Sequence, residues 1–306
     1  MMMMQWRNAW IGLLLGTALL GAAPAPNAPP KPQTPGVNDL IASAQPADWR
    51  PVAADRLLIL TLSGNRRVLI ELAPQLAPLN AGNIASLARA GFYDGAHIYR
   101  SQDNYVVQMG NEHLKRAIPE GAGATVPGEY LRSGLAGLPF TRLPFADGYA
   151  PQTGFTDGFP VGRDPKAGTT WMAHCYGAVG MGRDNDPNSG GTEFYAITGH
   201  APRHLDRNIT LFGFVRTGME HLSVLPRGPA PMGFYAAPEQ FTTIESIRLA
   251  STLPDAERPL VEVLRTDTAL WQRLVNARAN RREAWFARPA GFVELCNVAV
   301  PTRIVR

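Results

Sequence analysis

The sequence predicts a mainly β fold, and three observations carry that reading. Short apolar runs alternate with polar residues and end on Gly, Pro, Asn or Asp. Two such runs, residues 57–62 and 67–72, flank Ser63-Gly64-Asn65 in the manner of a hairpin. The 306 residues include 30 Gly and 27 Pro, too many helix breakers for an all-helical chain. With 45% hydrophobic and 18% charged residues, the composition suits one sizeable globular domain with additions and argues against global disorder.

The N-terminus reads as a targeting segment. Arg7 precedes an apolar run over residues 9–23, long enough for a secretory core and short for a membrane-spanning helix. Small residues Gly21, Ala22, Ala23 and Ala25 follow. The expectation is a signal peptide over 1–23 and an exported, periplasmic protein, with an uncleaved anchor as the competing reading. No Cys precedes Cys175, which excludes a lipid-modified N-terminal cysteine.

Residues 24–51 are rich in Pro, Ala and Gln and read as a linker, with a short helix near 38–44. The main domain is expected over 52–250. After the first hairpin, Pro74 and Pro78 break the strand. Pro78 suits a first helical turn, and Ile84, Leu87 and Ala88 recur at helical spacing until Gly91 stops them. Asp94-Gly95 then turns the chain into a strand ending at Arg100. A polar break at 101–104 separates it from a second strand over 105–109.

Residues 112–170 lose the pattern and read as a long insertion without regular structure, of the kind that is functional or partly disordered. Strands resume at 171–176, 178–181, 193–198, 210–216 and 242–249, with a short helix near 218–225. Residues 251–306 form an extension, too small for its own core and therefore docked on the domain. Within it Thr266 or Asp267 caps a helix whose Leu270, Trp271, Leu274 and Val275 make one apolar stripe. A last strand is expected over 292–300.

Several functions are excluded on composition. The net charge of +4 is scattered, apart from Arg278, Arg281 and Arg282, and no basic stripe carries interleaved aromatics, so nucleic acid is not expected as a partner. His97, His113, His174, His200, His204 and His221 lack metal-ligand spacing, and neither metal nor cofactor is expected. Ser189 sits in a Gly-rich turn rather than a nucleophile setting. Cys175 and Cys296 either pair in an oxidising compartment or pack as buried free thiols, and the sequence leaves both open.

Seven motifs fall in a familiar order. Phe92-Tyr93-Asp94-Gly95, Tyr99-Arg100, Val107-Gln108, Gly177 with Met181, Glu193-Phe194-Tyr195, Leu205-Asp206 and Phe212-Gly213 resemble the cyclophilin family of peptidyl-prolyl isomerases. The resemblance spans roughly 57–249. The runs 174–177, 182–184 and 199–208 are most similar to a divergent branch of exported bacterial and chloroplast-lumen members.

The resemblance implies a closed eight-stranded antiparallel β-barrel with a helix at each end and the substrate groove on its outer face. It implies that Arg100 is catalytic and that Gln108 orients it or the substrate. Tyr105, Val106, Tyr195 and Leu205 would form a proline pocket, and Gly182 and Arg183 would hold the peptide backbone. Departures matter. Glu193 stands where glutamine is usual and is expected to pair with Arg100 or Arg183. Tyr105 and Tyr195 replace phenylalanines, implying a more polar pocket. His204 replaces a rim tryptophan, implying weak binding of cyclosporin-type peptides. The implied partners are proline-containing unfolded or newly exported polypeptides, with no membrane contact beyond the signal peptide. The implied activity is isomerisation of Xaa-Pro bonds that assists folding; the alternative is a binding module with little or no catalysis.

Overall fold

The computed structural model describes residues 35–305, so the expected signal peptide and the start of the linker lie outside the described residues. Eight strands close into an antiparallel barrel. In chain order they are β1 Leu57–Leu62, β2 Arg66–Leu72, β3 His97–Ser101, β4 Val106–Gly110, β5 Ala178–Met181, β6 Phe194–Ile197, β7 Leu211–Thr217 and β8 Thr242–Leu249. Around the barrel they run β5-β6-β4-β3-β8-β1-β2-β7, and β7 pairs back onto β5. Closure leaves no barrel edge unpaired.

Alternation fills the interior. Leu58, Leu60 and Leu62 of β1 meet Val68, Ile70 and Leu72 of β2, with Val107, Met109, Phe194 and Phe212 from other strands. The helix Pro78–Arg89 adds Ile84, Leu87 and Ala88 to this core, and Met219–Ser223 adds Leu222. Gly91 follows the first helix at φ +66°, a left-handed stop that glycine takes without a Cβ penalty.

The unbroken apolar run of β1 has a structural reason. Its outward residues Leu57 and Ile59, with Leu69 of β2, pack under Val52, Ala250, Val261 and Val263. These belong in part to a three-stranded sheet of Trp49–Pro51, Val261–Leu264 and Thr302–Ile304. The expected linker thus differs from what the chain does at its end, where Trp49–Pro51 is a strand. The last strand lies at Thr302–Ile304 rather than 292–300, because Leu295–Asn297 is a 3-10 turn there.

The insertion is also ordered, contrary to the reading of an irregular excursion. Arg132–Ser133, Thr169–Met172, Phe159–Asp164, Gln152–Thr156 and Thr141–Arg142 form a five-stranded antiparallel sheet in that order. Its periodicity is hidden by glycines that permit close approach. A Cβ on Gly162 would lie 2.5 Å from the Trp171 ring, and one on Gly154 would lie 2.2 Å from the Thr141 carbonyl oxygen. Residues 169–172 belong to this sheet and not to the barrel.

The tail docks on the insertion. Helix Ala269–Ala279 is capped by Thr268, whose Oγ1 accepts from the Trp271 N–H at 3.2 Å, not by Thr266 or Asp267. Its stripe of Leu270, Trp271, Leu274 and Val275 is buried with Phe155 and Leu40. Cys175 and Cys296 form a disulfide, resolving the open alternative and tying the tail to the residues just before β5.

One buried carboxylate joins three layers. Glu71 of β2 accepts from Arg50 at 2.7 and 3.0 Å and from Arg216 of β7 at 2.7 Å. Both arginines continue to insertion carbonyls, at Asp157 and Gly158 respectively. Burial raises the Glu71 pKa, but the Arg216 and Arg50 charges outweigh it and hold it below the ordinary glutamate range.

Candidate active site

The site begins with an irregularity in β3. Ile98 pairs with Met109 and Arg100 with Gln108, so Tyr99 is an extra residue between ladder positions. Strict alternation would return Arg100 to the barrel interior beside Ile98. The bulge turns it outward instead. Gln108 then pairs with Tyr195 across β6, and Tyr195 with Gly180 of β5. Arg100, Gln108 and Tyr195 thereby occupy successive positions across one outer face.

The Arg100 guanidinium is held on several sides. Nη1 donates to Gln108 Oε1 at 2.8 Å, Nε donates to the Met232 carbonyl at 2.7 Å, and Nη2 donates to Gln102 Oε1. Each terminal nitrogen keeps a second N–H beyond these bonds. Burial lowers the Arg100 pKa while Tyr105, Tyr99 and Tyr195 act the other way, and the group stays charged. The residue is 9% exposed.

Part of that cover comes from residues 226–235, which sequence reasoning passed over. This segment runs along β3. Ser101 N–H donates to the Gly233 carbonyl and Gly228 N–H to the Ser101 carbonyl, each at 2.9 Å, while Tyr235 N–H donates to the Tyr99 carbonyl at 3.0 Å. Phe234 stacks on Tyr99 and lies 4.9 Å from the Arg100 Cζ. No periodicity in this Pro- and Gly-rich stretch signals such a contact.

Beside the arginine lies an apolar cluster. Buried Val106, Tyr195, Ile197 and Leu211 pack with half-buried Tyr105. The Tyr195 hydroxyl does not make the pocket polar, because it turns inward to His174 Nε2 at 3.1 Å. A Cβ on Gly180 would lie 2.5 Å from that hydroxyl, so only glycine lets the ring take this path.

His174 is fully buried, and its Nδ1 meets Asp206 Oδ1 at 3.0 Å. Burial lowers the His174 pKa against the pull of Asp206, leaving a neutral ring that donates from Nδ1 and accepts from Tyr195. Arg203 braces the same carboxylate at 2.6 Å and reaches Asp147 of the insertion and Glu294 of the tail. Burial raises the Asp206 pKa, but the His174 hydrogen bond and the Arg203 charge outweigh it, so the group sits below the ordinary range.

A pH dependence follows. Between the ordinary histidine value of about 6.5 and the lower folded value, the unfolded chain takes a proton that folded His174 refuses. Stability is therefore expected to decline as pH falls below about 6.5, and Asp206 and Glu71 add a further loss below about pH 4. The melting temperature followed from pH 8 to 3 reads this directly. A curve flat from pH 7 to 5 would contradict it.

The other sequence candidates are dispersed around this core. His204 is exposed and Leu205 half-buried on the turn Arg203–Leu205, which Asp206 anchors. Gly182 abuts Gln108: a Cβ there would lie 3.1 Å from Gln108 Nε2. Arg183 is exposed and spends its guanidinium on the Asn208 and Asp184 carbonyls. Glu193 pairs with neither Arg100 nor Arg183. Its Oε2 accepts from the Tyr99 hydroxyl and its Oε1 from the Asn111 N–H, each at 2.8 Å. Among the described residues no group of three or more His, Cys, Asp or Glu could hold a metal ion.

Comparison with known proteins adds to this geometry. A family profile described as "Cyclophilin type peptidyl-prolyl cis-trans isomerase/CLD" matches residues 57–249. A peptidyl-prolyl cis-trans isomerase of Arabidopsis thaliana is 28% identical over 174 residues, covering 56% of this chain and 62% of that protein. The chain thus spans less than two thirds of that relative. Peptidyl-prolyl cis-trans isomerase B of Bacillus subtilis is 28% identical over 168 residues, covering 55% of this chain and 88% of that protein. The crystal structure of a cyclophilin from Hirschia baltica superposes with a TM-score of 0.68 at 27% identity, over 87% of this chain and 96% of that one. That last match is too long to be confined to the barrel.

Proposed function

From the premise that the chain belongs to the cyclophilin-type peptidyl-prolyl cis-trans isomerase family, we propose that it catalyses rotation about Xaa-Pro bonds, with Arg100 as the principal donor. The observation that carries this is the β3 bulge, which sets Arg100 outward against Gln108 and beside the apolar cluster of Tyr105, Val106 and Tyr195.

The chemistry needs no bond made or broken. Amide resonance sets a barrier of about 18–20 kcal/mol. In the twisted transition state the proline nitrogen regains a lone pair that neither planar ground state offers. A donor aimed at it stabilises the transition state selectively. The free N–H groups on the terminal nitrogens of Arg100 can serve, and the bonds to Gln108, Gln102 and Met232 hold the fork in place so that little reorganisation is needed. The cluster grips the proline ring while the rest of the peptide turns. Exposed His204 offers the rim no large ring, so cyclosporin-type peptides should bind weakly.

The substrates we propose are exported, unfolded polypeptides, and the site of action is the periplasm. The apolar run at residues 9–23 and the Cys175–Cys296 disulfide support this, since disulfides persist in oxidising compartments. A second reading, a peptide-binding module with little turnover, is favoured by the 9% exposure of Arg100 and the Met232 carbonyl seated on its Nε.

Isomerisation of a short Ala-Pro peptide separates the two. Turnover supports the enzyme; peptide binding without turnover supports the module. Tyr105→Ala removes part of the cup without touching the donor, and is expected to lower kcat/KM about tenfold, mainly through KM.

A further inference from the structure

Glu193 is half-buried and ends a hydrogen-bonded chain that begins at Arg100. Arg100 Nη1 donates to Gln108 Oε1, Gln108 Nε2 donates to the Tyr99 hydroxyl at 3.0 Å, and that hydroxyl donates to Glu193 Oε2. An ionised carboxylate only accepts. Tyr99 must therefore give its proton to Glu193 and can offer Gln108 only a lone pair. Gln108 must then turn its NH2 to Tyr99 and its carbonyl to Arg100.

We propose that Glu193 and Tyr99 are a positioning pair: together they fix which way round the Gln108 amide sits, and through it hold Arg100 in its donating orientation. The proposal rests on Arg100 being the donor. Gly110 makes the arrangement possible, because a Cβ there would lie 2.0 Å from Glu193 Oε2. The Asn111 N–H fixes the other carboxylate oxygen at 2.8 Å.

A glutamine at 193 reverses the chain. Its carbonyl must face the Asn111 N–H, which leaves its NH2 facing Tyr99. Tyr99 then turns its proton toward Gln108, and Gln108 presents NH2 to Arg100, donor against donor. Protonating Glu193 on Oε2 does the same. Its carboxyl is pushed upward by burial, with the Tyr99 and Asn111 bonds opposing. The titratable groups around it are Tyr99 of β3, Tyr93 before that strand, and Glu112 with His113 after β4; His113 packs edge-on to the Tyr99 ring.

The test compares the full chain with Glu193→Gln, Tyr99→Phe and the double variant. Each single change is expected to lower kcat/KM about tenfold through kcat with KM little moved, and the double to be no worse than either. Wild-type kcat should fall on the acid side with a midpoint above the ordinary glutamate value of about 4.3. That limb should vanish in Glu193→Gln and persist in His113→Gln. Independently of activity, the Gln108 side-chain amide NMR signals should shift with the same midpoint, and in Glu193→Gln should sit at their acid position at every pH. Glu193→Gln with wild-type kcat and an unchanged acid limb overturns the pair, as do Gln108 signals blind to pH and to position 193. Signals that track Glu193 in a chain without turnover keep the pair and sink the isomerase reading instead.

Discussion

Arg100→Ala is expected to lower kcat/KM on an Ala-Pro peptide by about two to three orders of magnitude, the scale seen when one preorganised donor is removed from a developing charge. The loss should fall mainly on kcat, because the pocket of Tyr105, Val106 and Tyr195 is left standing. Arg100→Lys should recover little. An ammonium keeps the charge but cannot bond Gln108, Gln102 and the Met232 carbonyl at once while still offering a donor to substrate. The alanine variant also loses the bond to the Met232 carbonyl and the Phe234 contact, while backbone bonds still hold residues 226–235 on β3. A modest fall in melting temperature should accompany it, about 1–2 kcal/mol for the lost bonds. Wild-type activity in a folded Arg100→Ala chain would place the donor elsewhere.

Glu71→Ala is expected to cost about 3–5 kcal/mol of stability, because it leaves two arginine charges facing each other without their carboxylate. The Arg216 side chain is 2% exposed and has no water to retreat to. Glu71→Gln should cost less, since the amide oxygen still accepts one bond. Denaturant unfolding at pH 7 measures both. Glu71 has a folded pKa below its unfolded one. Its contribution is therefore present above about pH 4.3 and disappears as pH falls through the folded value, and the gap between wild type and Glu71→Ala should close in acid. Activity below the unfolding transition should be unchanged, because the triad lies on β2, β7 and the flanking strand Trp49–Pro51 and the site on β3, β4 and β6. Equal stability at pH 7 would mean that hydrophobic burial alone holds the layers together.

What could be read from the sequence follows from where each side chain looks. β1 and β2 were legible because their turn and their inward leucines announce a hairpin. That Leu57 and Ile59 face outward under a second sheet was not legible, because Val261 and Val263, which cover them, lie far away in the chain. The insertion was illegible because Gly154 and Gly162 serve the neighbouring strand and a tryptophan ring, which erases alternation locally. At the site, resemblance placed Arg100, Gln108, Tyr105, Val106 and Tyr195 together. It missed Met232 and Phe234, which reach Arg100 from more than a hundred residues away. It also gave Glu193 the wrong partner. Charge suggested an arginine, whereas the gap left by Gly110 directs the carboxylate to Tyr99 and a backbone N–H. Tyr99 itself lay in a quoted motif, but its role depends on a bulge that no spacing rule revealed.

The sheet laid over β1 and β2 makes the barrel inseparable from its flanks. A chain ended after Leu249 would keep every stave, yet it would present Leu57, Ile59 and Leu69 to water and lose Cys296, the partner of Cys175. Trimming from the front would remove Arg50 and leave Glu71 half answered. Grafting this barrel onto another host therefore means carrying both ends of the chain along with it.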